Sequence, residues 1–66
     1  MDEIDAYRTA KILLDARGEK GAQSYATAQT IDLSMAGDDD GLVAWQRVLK
    51  AMHELTRELQ EREVMH

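Results

Sequence analysis

Gly37-Asp38-Asp39-Asp40-Gly41-Leu42-Val43-Ala44-Trp45-Gln46-Arg47-Val48-Leu49-Lys50-Ala51-Met52-His53-Glu54-Leu55-Thr56-Arg57-Glu58-Leu59 is the stretch that decides how this chain folds. Leu42, Trp45, Val48, Leu49, Met52, Leu55 and Leu59 recur at three- and four-residue steps. That spacing gives a helix one continuous apolar side over about five turns. Gly37 is a helix stop and Asp38 an N-cap whose carboxylate accepts from the first free N–H groups. Asp39 and Asp40 then fall against the positive end of the helix.

Working back from Gly37, the segment 22–36 has two apolar edges. Ala22, Ala26 and Leu33 form one, and Ala28, Ile31 and Met35 form the other. A helix with two such edges is expected between two neighbours, its alanines allowing close approach. Gly18 can end the preceding helix in a left-handed conformation, and Glu19, Lys20 and Gly21 read as a connecting turn. The segment 3–17 places Ile4, Tyr7, Ala10, Leu13 and Leu14 on one broad face, with Ile12 on the opposite side. Beyond Leu59, Gln60 to His66 is polar and reads as a fraying end.

The expected fold is therefore all-α: one domain over 1–66, a three-helix bundle with helices at about 3–17, 22–36 and 38–62. A third helix of about 25 residues is about 38 Å long, against about 22 Å for each of the others. It would overhang them, and an overhang carrying Leu55 and Leu59 exposes apolar surface that either the first helix or a second copy would cover. The expectation is a homodimer through this helix, with Leu42, Trp45, Val48, Leu49 and Met52 as intrachain core.

Composition narrows the function. The 66 residues contain no cysteine and no proline. Disulfides, thiolate metal sites and cysteine nucleophiles are excluded, and a single small core is the ceiling. Apolar runs such as Ile12-Leu13-Leu14 and Leu42-Val43-Ala44-Trp45 are short and the first residues are acidic, which argues against a membrane span or signal peptide and for a cytoplasmic protein. A net charge of −5 opposes direct binding to nucleic acid or anionic membrane and favours a basic partner.

No motif carries chemistry. Asp38, Asp39 and Asp40 are contiguous, whereas a calcium loop needs alternating oxygen ligands and a distant glutamate, so capping explains them. His53 has no second histidine one turn away, and His66 stands at the terminus, so no zinc site is expected. The hydroxyl residues have no base or nucleophile elbow beside them, and the four glycines mark helix ends rather than a phosphate cradle. No catalytic, cofactor-binding or metal residue is assigned. The pairs Lys50–Glu54, Arg57–Glu61 and Glu58–Arg62 have i,i+4 spacing and support the helix. Trp45 reads as core filler, with a binding hot spot as its functional alternative.

The order Arg17-Gly18, an alanine-spaced helix, Met35-Ala36-Gly37-Asp38-x-x-Gly41-x-x-x-Trp45, followed by Val48, Ala51 and Leu55, resembles a family of short bacterial proteins classed as a domain of unknown function. The likeness covers about two thirds of the chain and implies a compact helical fold in which Gly37 and Asp38 make a junction and Trp45 anchors the core. That family often has a histidine before its first glycine; this chain has Arg17, so no role of that histidine carries over.

Two functional expectations follow. The first is a non-catalytic helical module that binds a protein partner, with Gly37, Asp38, Gly41, Trp45, Met52, Leu55 and Leu59 as its structural and interface residues. The second is an acidic phage-type inhibitor, of the anti-CRISPR or DNA-mimic kind, that sets carboxylates where phosphates would sit. A helix-turn-helix DNA binder fits the topology but would open its reading helix with three aspartates.

Overall fold

A computed structural model describes residues 2–64 of the chain, with side chains to residue 62. It is a helical hairpin. Helix α1 spans Glu3–Ala36 and helix α2 spans Asp39–Val64. Asp2 caps α1: its carboxylate accepts from the Ile4 N–H at 3.1 Å and its carbonyl from the Ala6 N–H at 3.0 Å. Glu3 and Asp5 in the first turn suit the positive helix end.

The three-helix bundle is corrected here. Glu19, Lys20 and Gly21 are helical, and no loop separates 3–17 from 22–36. Only Gly18 departs from helical geometry, at φ 74° and ψ 174°, and it kinks α1. That combination of angles is open essentially to glycine alone, so one residue takes the place of the expected connecting turn.

The kink sets how the rest packs. Ala6, Ala10, Ala22 and Ala26 are all buried, yet on a straight helix at 100° per residue Ala22 would stand about 160° around from Ala6. No single neighbour could cover both. Glu3, Ala6 and Tyr7 lie beside Arg47, Lys50, Ala51 and Glu54, and Lys11, Leu14 and Asp15 lie beside Leu55, Glu58, Leu59 and Arg62. The first arm of α1 (3–17) therefore runs in the same direction as α2. The second arm (19–36) runs against it, with Tyr25 beside Trp45 and Leu33 reaching Gly41. A straight helix of 34 residues would be about 51 Å long; the whole molecule is 46 Å in its longest dimension.

The core is small and rich in alanine. Ala6, Ala10, Ala22, Ala26, Val48, Ala51 and Met52 are buried, and Tyr7, Leu13, Leu14, Trp45, Leu49 and Leu55 pack around them. Alanines bring the backbones close but each buries little apolar area, so Val48 and Met52 carry a large share of the burial. Thr30 turns its hydroxyl back onto the Thr27 carbonyl at 2.7 Å, which lets this β-branched residue sit inside a helix.

The expected overhang of the last helix is corrected as well. The first arm covers that side of α2: Leu55 packs on the core of its own chain, Thr56 is buried, and Leu59 is half exposed. The second arm differs too. Its edge Ala22, Ala26 and Leu33 faces inward, but Ala28, Ile31 and Met35 face solvent instead of a second neighbour. α2 remains helical through Val64, past the point where fraying is expected, and His66 lies outside the described residues. No helix among the described residues is long and apolar enough to cross a membrane.

Candidate functional site: a groove beside the first arm

The residues singled out in the sequence fall into three places. Gly37, Asp38 and Gly41 form the junction between the helices. Gly37 adopts the left-handed conformation at φ 73°, ψ 20°. Its N–H donates to the Ser34 carbonyl at 3.2 Å, and the Asp38 N–H donates to the Leu33 carbonyl at 3.0 Å. This pair of bonds is the Schellman closure of a helix. Asp38 then opens α2, its carboxylate accepting from the Gly41 N–H at 3.0 Å and its carbonyl from the Leu42 N–H at 3.0 Å. Asp38 thus closes one helix with its N–H and opens the next with its side chain. A Cβ on Gly41 would stand 2.9 Å from both Asp38 Oδ2 and Leu33 Cδ2, which is why the position between cap and Leu33 is a glycine.

Trp45 and Met52 belong to the interior. Met52 is fully buried. Trp45 meets Tyr25 edge to face, with centroids 5.9 Å apart and planes at 60°, and the Arg17 guanidinium lies 4.4 Å from the Tyr25 ring centre. Arg17, Tyr25 and Trp45 come from the first arm, the second arm and α2, so this stack ties the two sides of the Gly18 kink to the other helix. Sequence reasoning missed it. Arg17 and Tyr25 are eight residues apart, and nothing in helical periodicity pairs them without knowledge of the kink.

Leu55 and Leu59 lie in a groove. With Leu14 from the first arm they floor a hollow of about 260 Å³ rimmed by Lys11, Asp15, Glu58 and Arg62. A second hollow of about 330 Å³ lies between Glu3, Ala6 and Tyr7 on the arm and Arg47, Lys50, Ala51 and Glu54 on α2. Steps of three and four connect Glu3, Tyr7, Lys11 and Leu14 along the arm, and Ala51, Glu54 and Glu58 along α2. Both hollows therefore lie on the same side of the arm–α2 pair. Each has an apolar floor and a rim of two basic and two acidic side chains. The negative charge of the chain is not concentrated here.

Other candidates find local roles. Asp38 is engaged by the cap, and Asp39 and Asp40 occupy the first turn of α2. His53 is exposed. No group of three or more histidine, aspartate or glutamate side chains is placed to hold a metal among the described residues. Among the described residues Lys11–Asp15 closes as an ion pair at 3.3 Å on the exposed arm, while Lys50–Glu54, Arg57–Glu61 and Glu58–Arg62 share their helix faces without closing. Thr56 is an anomaly: its Oγ1 is buried and has no hydrogen-bond partner.

Comparison of the chain with family models, curated proteins and solved structures finds no match.

Proposed function

We propose that this protein is a non-catalytic helical interaction module whose groove between the first arm of α1 and α2 takes an amphipathic helix of a protein partner. The observation that carries this reading is the position of Leu59. It is half exposed, yet it stands beside Leu14 and Leu55 at the floor of a groove rather than alone on a convex surface. An apolar helix face laid into such a groove gains burial, and its flanking charges meet a rim of both signs. The balanced rim favours a partner helix with mixed charge over a purely basic one. The acidic run at Asp38 to Asp40 supports the competing idea of nucleic-acid mimicry less well, because capping and the helix dipole already account for it.

Affinity capture from native lysate with the wild-type chain, Leu59→Glu and Leu14→Glu, read by mass spectrometry, tests this. A partner bound by the wild type and lost with both variants, with helix content unchanged by circular dichroism, is the expected result. Capture indifferent to both substitutions would remove the groove from consideration.

A further inference from the structure

We propose that the outer side of the second arm of α1 is a homodimer interface, along which two copies pack antiparallel through Ser24, Ala28, Ile31 and Met35. These four residues follow one another at steps of four, three and four, so they share one side of the arm, opposite the buried Ala22 and Ala26. All four are exposed, Ile31 at 54% and Met35 at 83%. The side is also almost without charge. Between Gly21 and Ala36 the sole charged residue is Asp32, in a chain where 32% of residues are charged. A helix side that merely faces water carries charges, whereas depletion of charge with retained large apolar residues marks a contact surface.

The order of sizes names the occupant. Along the arm the stripe reads small, small, large, large. A two-fold axis between Ala28 and Ile31 sets Ile31 against the partner's Ala28 and Met35 against the partner's Ser24, so every large side chain meets a small one. A parallel pairing would set Met35 on the partner's Met35 and leave the Ser24 end open. Self-complementarity of this kind is what a two-fold interface requires. Charge agrees with it. Asp38, Asp39 and Asp40 lie beyond the Met35 end of the arm; beyond the Ser24 end Lys20 falls on the side of the stripe and its neighbour Glu19 on the other side, so antiparallel pairing brings the acidic end of each copy to Lys20 of the other. The exposed Ile4 and Ile12 form no such stripe, since they stand eight residues apart with the charged Arg8 between them.

This interface is independent of the groove reading, and the experiment separates them. Sedimentation equilibrium or light scattering over a wide concentration range is expected to give twice the chain mass of 7.5 kDa for the wild type and for Leu59→Glu. For Ile31→Glu and Met35→Glu it is expected to give 7.5 kDa. A wild type that stays monomeric up to about 1 mM, or a dimer lost with Leu59→Glu and kept with Ile31→Glu, overturns the proposal.

Because a glutamate could also disturb the fold, a second measurement uses the absence of cysteine. Ser24→Cys and Met35→Cys chains, made separately and mixed under oxidation, are expected to cross-link to each other. Self-linking of Met35→Cys alone at the yield of the mixture, or no cross-linking at all, rejects the antiparallel pairing.

Discussion

Gly41 donates its backbone N–H to the Asp38 carboxylate at 3.0 Å, and the space for that bond exists because Gly41 has no Cβ to stand against Asp38 Oδ2 and Leu33 Cδ2. Cap and glycine are one device. Asp38→Ala removes the acceptor and is expected to cost about 1 kcal/mol. Gly41→Ala improves helix propensity by about 1 kcal/mol, but it displaces the capping carboxylate, so in the wild-type background it should bring no gain. In an Asp38→Ala background the carboxylate is gone and only Leu33 Cδ2, the far end of a flexible side chain, has to give way, so the same substitution should stabilise. Urea unfolding of the four chains measures this coupling, and equal effects of Gly41→Ala in both backgrounds would refute it.

Gly18 and Gly37, at φ 74° and φ 73°, share a positive φ, yet they should respond differently to substitution. Gly37, at ψ 20°, is in the left-handed helical region, where asparagine is tolerated; Gly18, at ψ 174°, is in a region almost closed to side chains. Gly37→Asn should be nearly neutral and Gly37→Ala should cost about 1 kcal/mol, whereas Gly18→Ala and Gly18→Asn should both cost about 1–3 kcal/mol. Open space surrounds both positions, so packing does not confuse the comparison. The reverse ranking in thermal melts would mean that the kink is not held by Gly18.

Thr56 offers a stabilising substitution. Its buried hydroxyl has lost water without gaining a partner, a penalty of about 1–3 kcal/mol. Thr56→Val keeps the shape and removes the orphan oxygen, so the urea midpoint should rise, while Thr56→Ser should lower it. A lower midpoint for Thr56→Val would mean that the hydroxyl has a partner after all.

Trp45 is the sole tryptophan, which makes its emission a direct report on the ring stack. Tyr25→Leu removes the edge-to-face partner, worth about 0.5–1.5 kcal/mol, and should shift the emission maximum and lower stability together. Arg17→Gln should cost about 0.5–1 kcal/mol in the wild type and almost nothing in Tyr25→Leu. Additive losses would show that Arg17 does not act through Tyr25.

Met52 and Leu59 mark the two ends of the burial scale on α2. Met52→Ala empties a fully buried site and should cost about 2–5 kcal/mol. That is a large fraction of what a domain of this size has to spare, so the chain should unfold at or near room temperature. Leu59→Ala, half exposed in the groove, should change stability by about 0.5 kcal/mol or less. A large loss from Leu59→Ala would place it in the core.

One wall of the groove is legible in the sequence and the other is not. The three- and four-residue steps of α2 place Leu55 and Leu59 on its apolar side, but Leu14 and Lys11, which form the facing wall, sit in a segment whose own periodicity says nothing about which helix it meets. The stripe of Ile31 and Met35 is legible as an apolar edge, and its exposure is not. Periodicity reports which residues share a side of a helix. It cannot report whether that side is covered.

Helicity, the caps and the division at Gly37-Asp38 were determined by the sequence alone, because each depends on contacts within a few residues: propensity, a carboxylate three positions from its donor, a glycine with positive φ. The three-element reading failed at Gly18 for the complementary reason. How sharply one glycine turns a chain depends on what the two arms gain by packing, and here the burial of Ala6, Ala10, Ala22 and Ala26 against the single face of α2 selects the kink. Tertiary structure therefore decided which apolar residues are committed to the chain's own core and which, Ile31, Met35 and Leu59, stay exposed, since that balance is a property of the packed whole and of no local stretch.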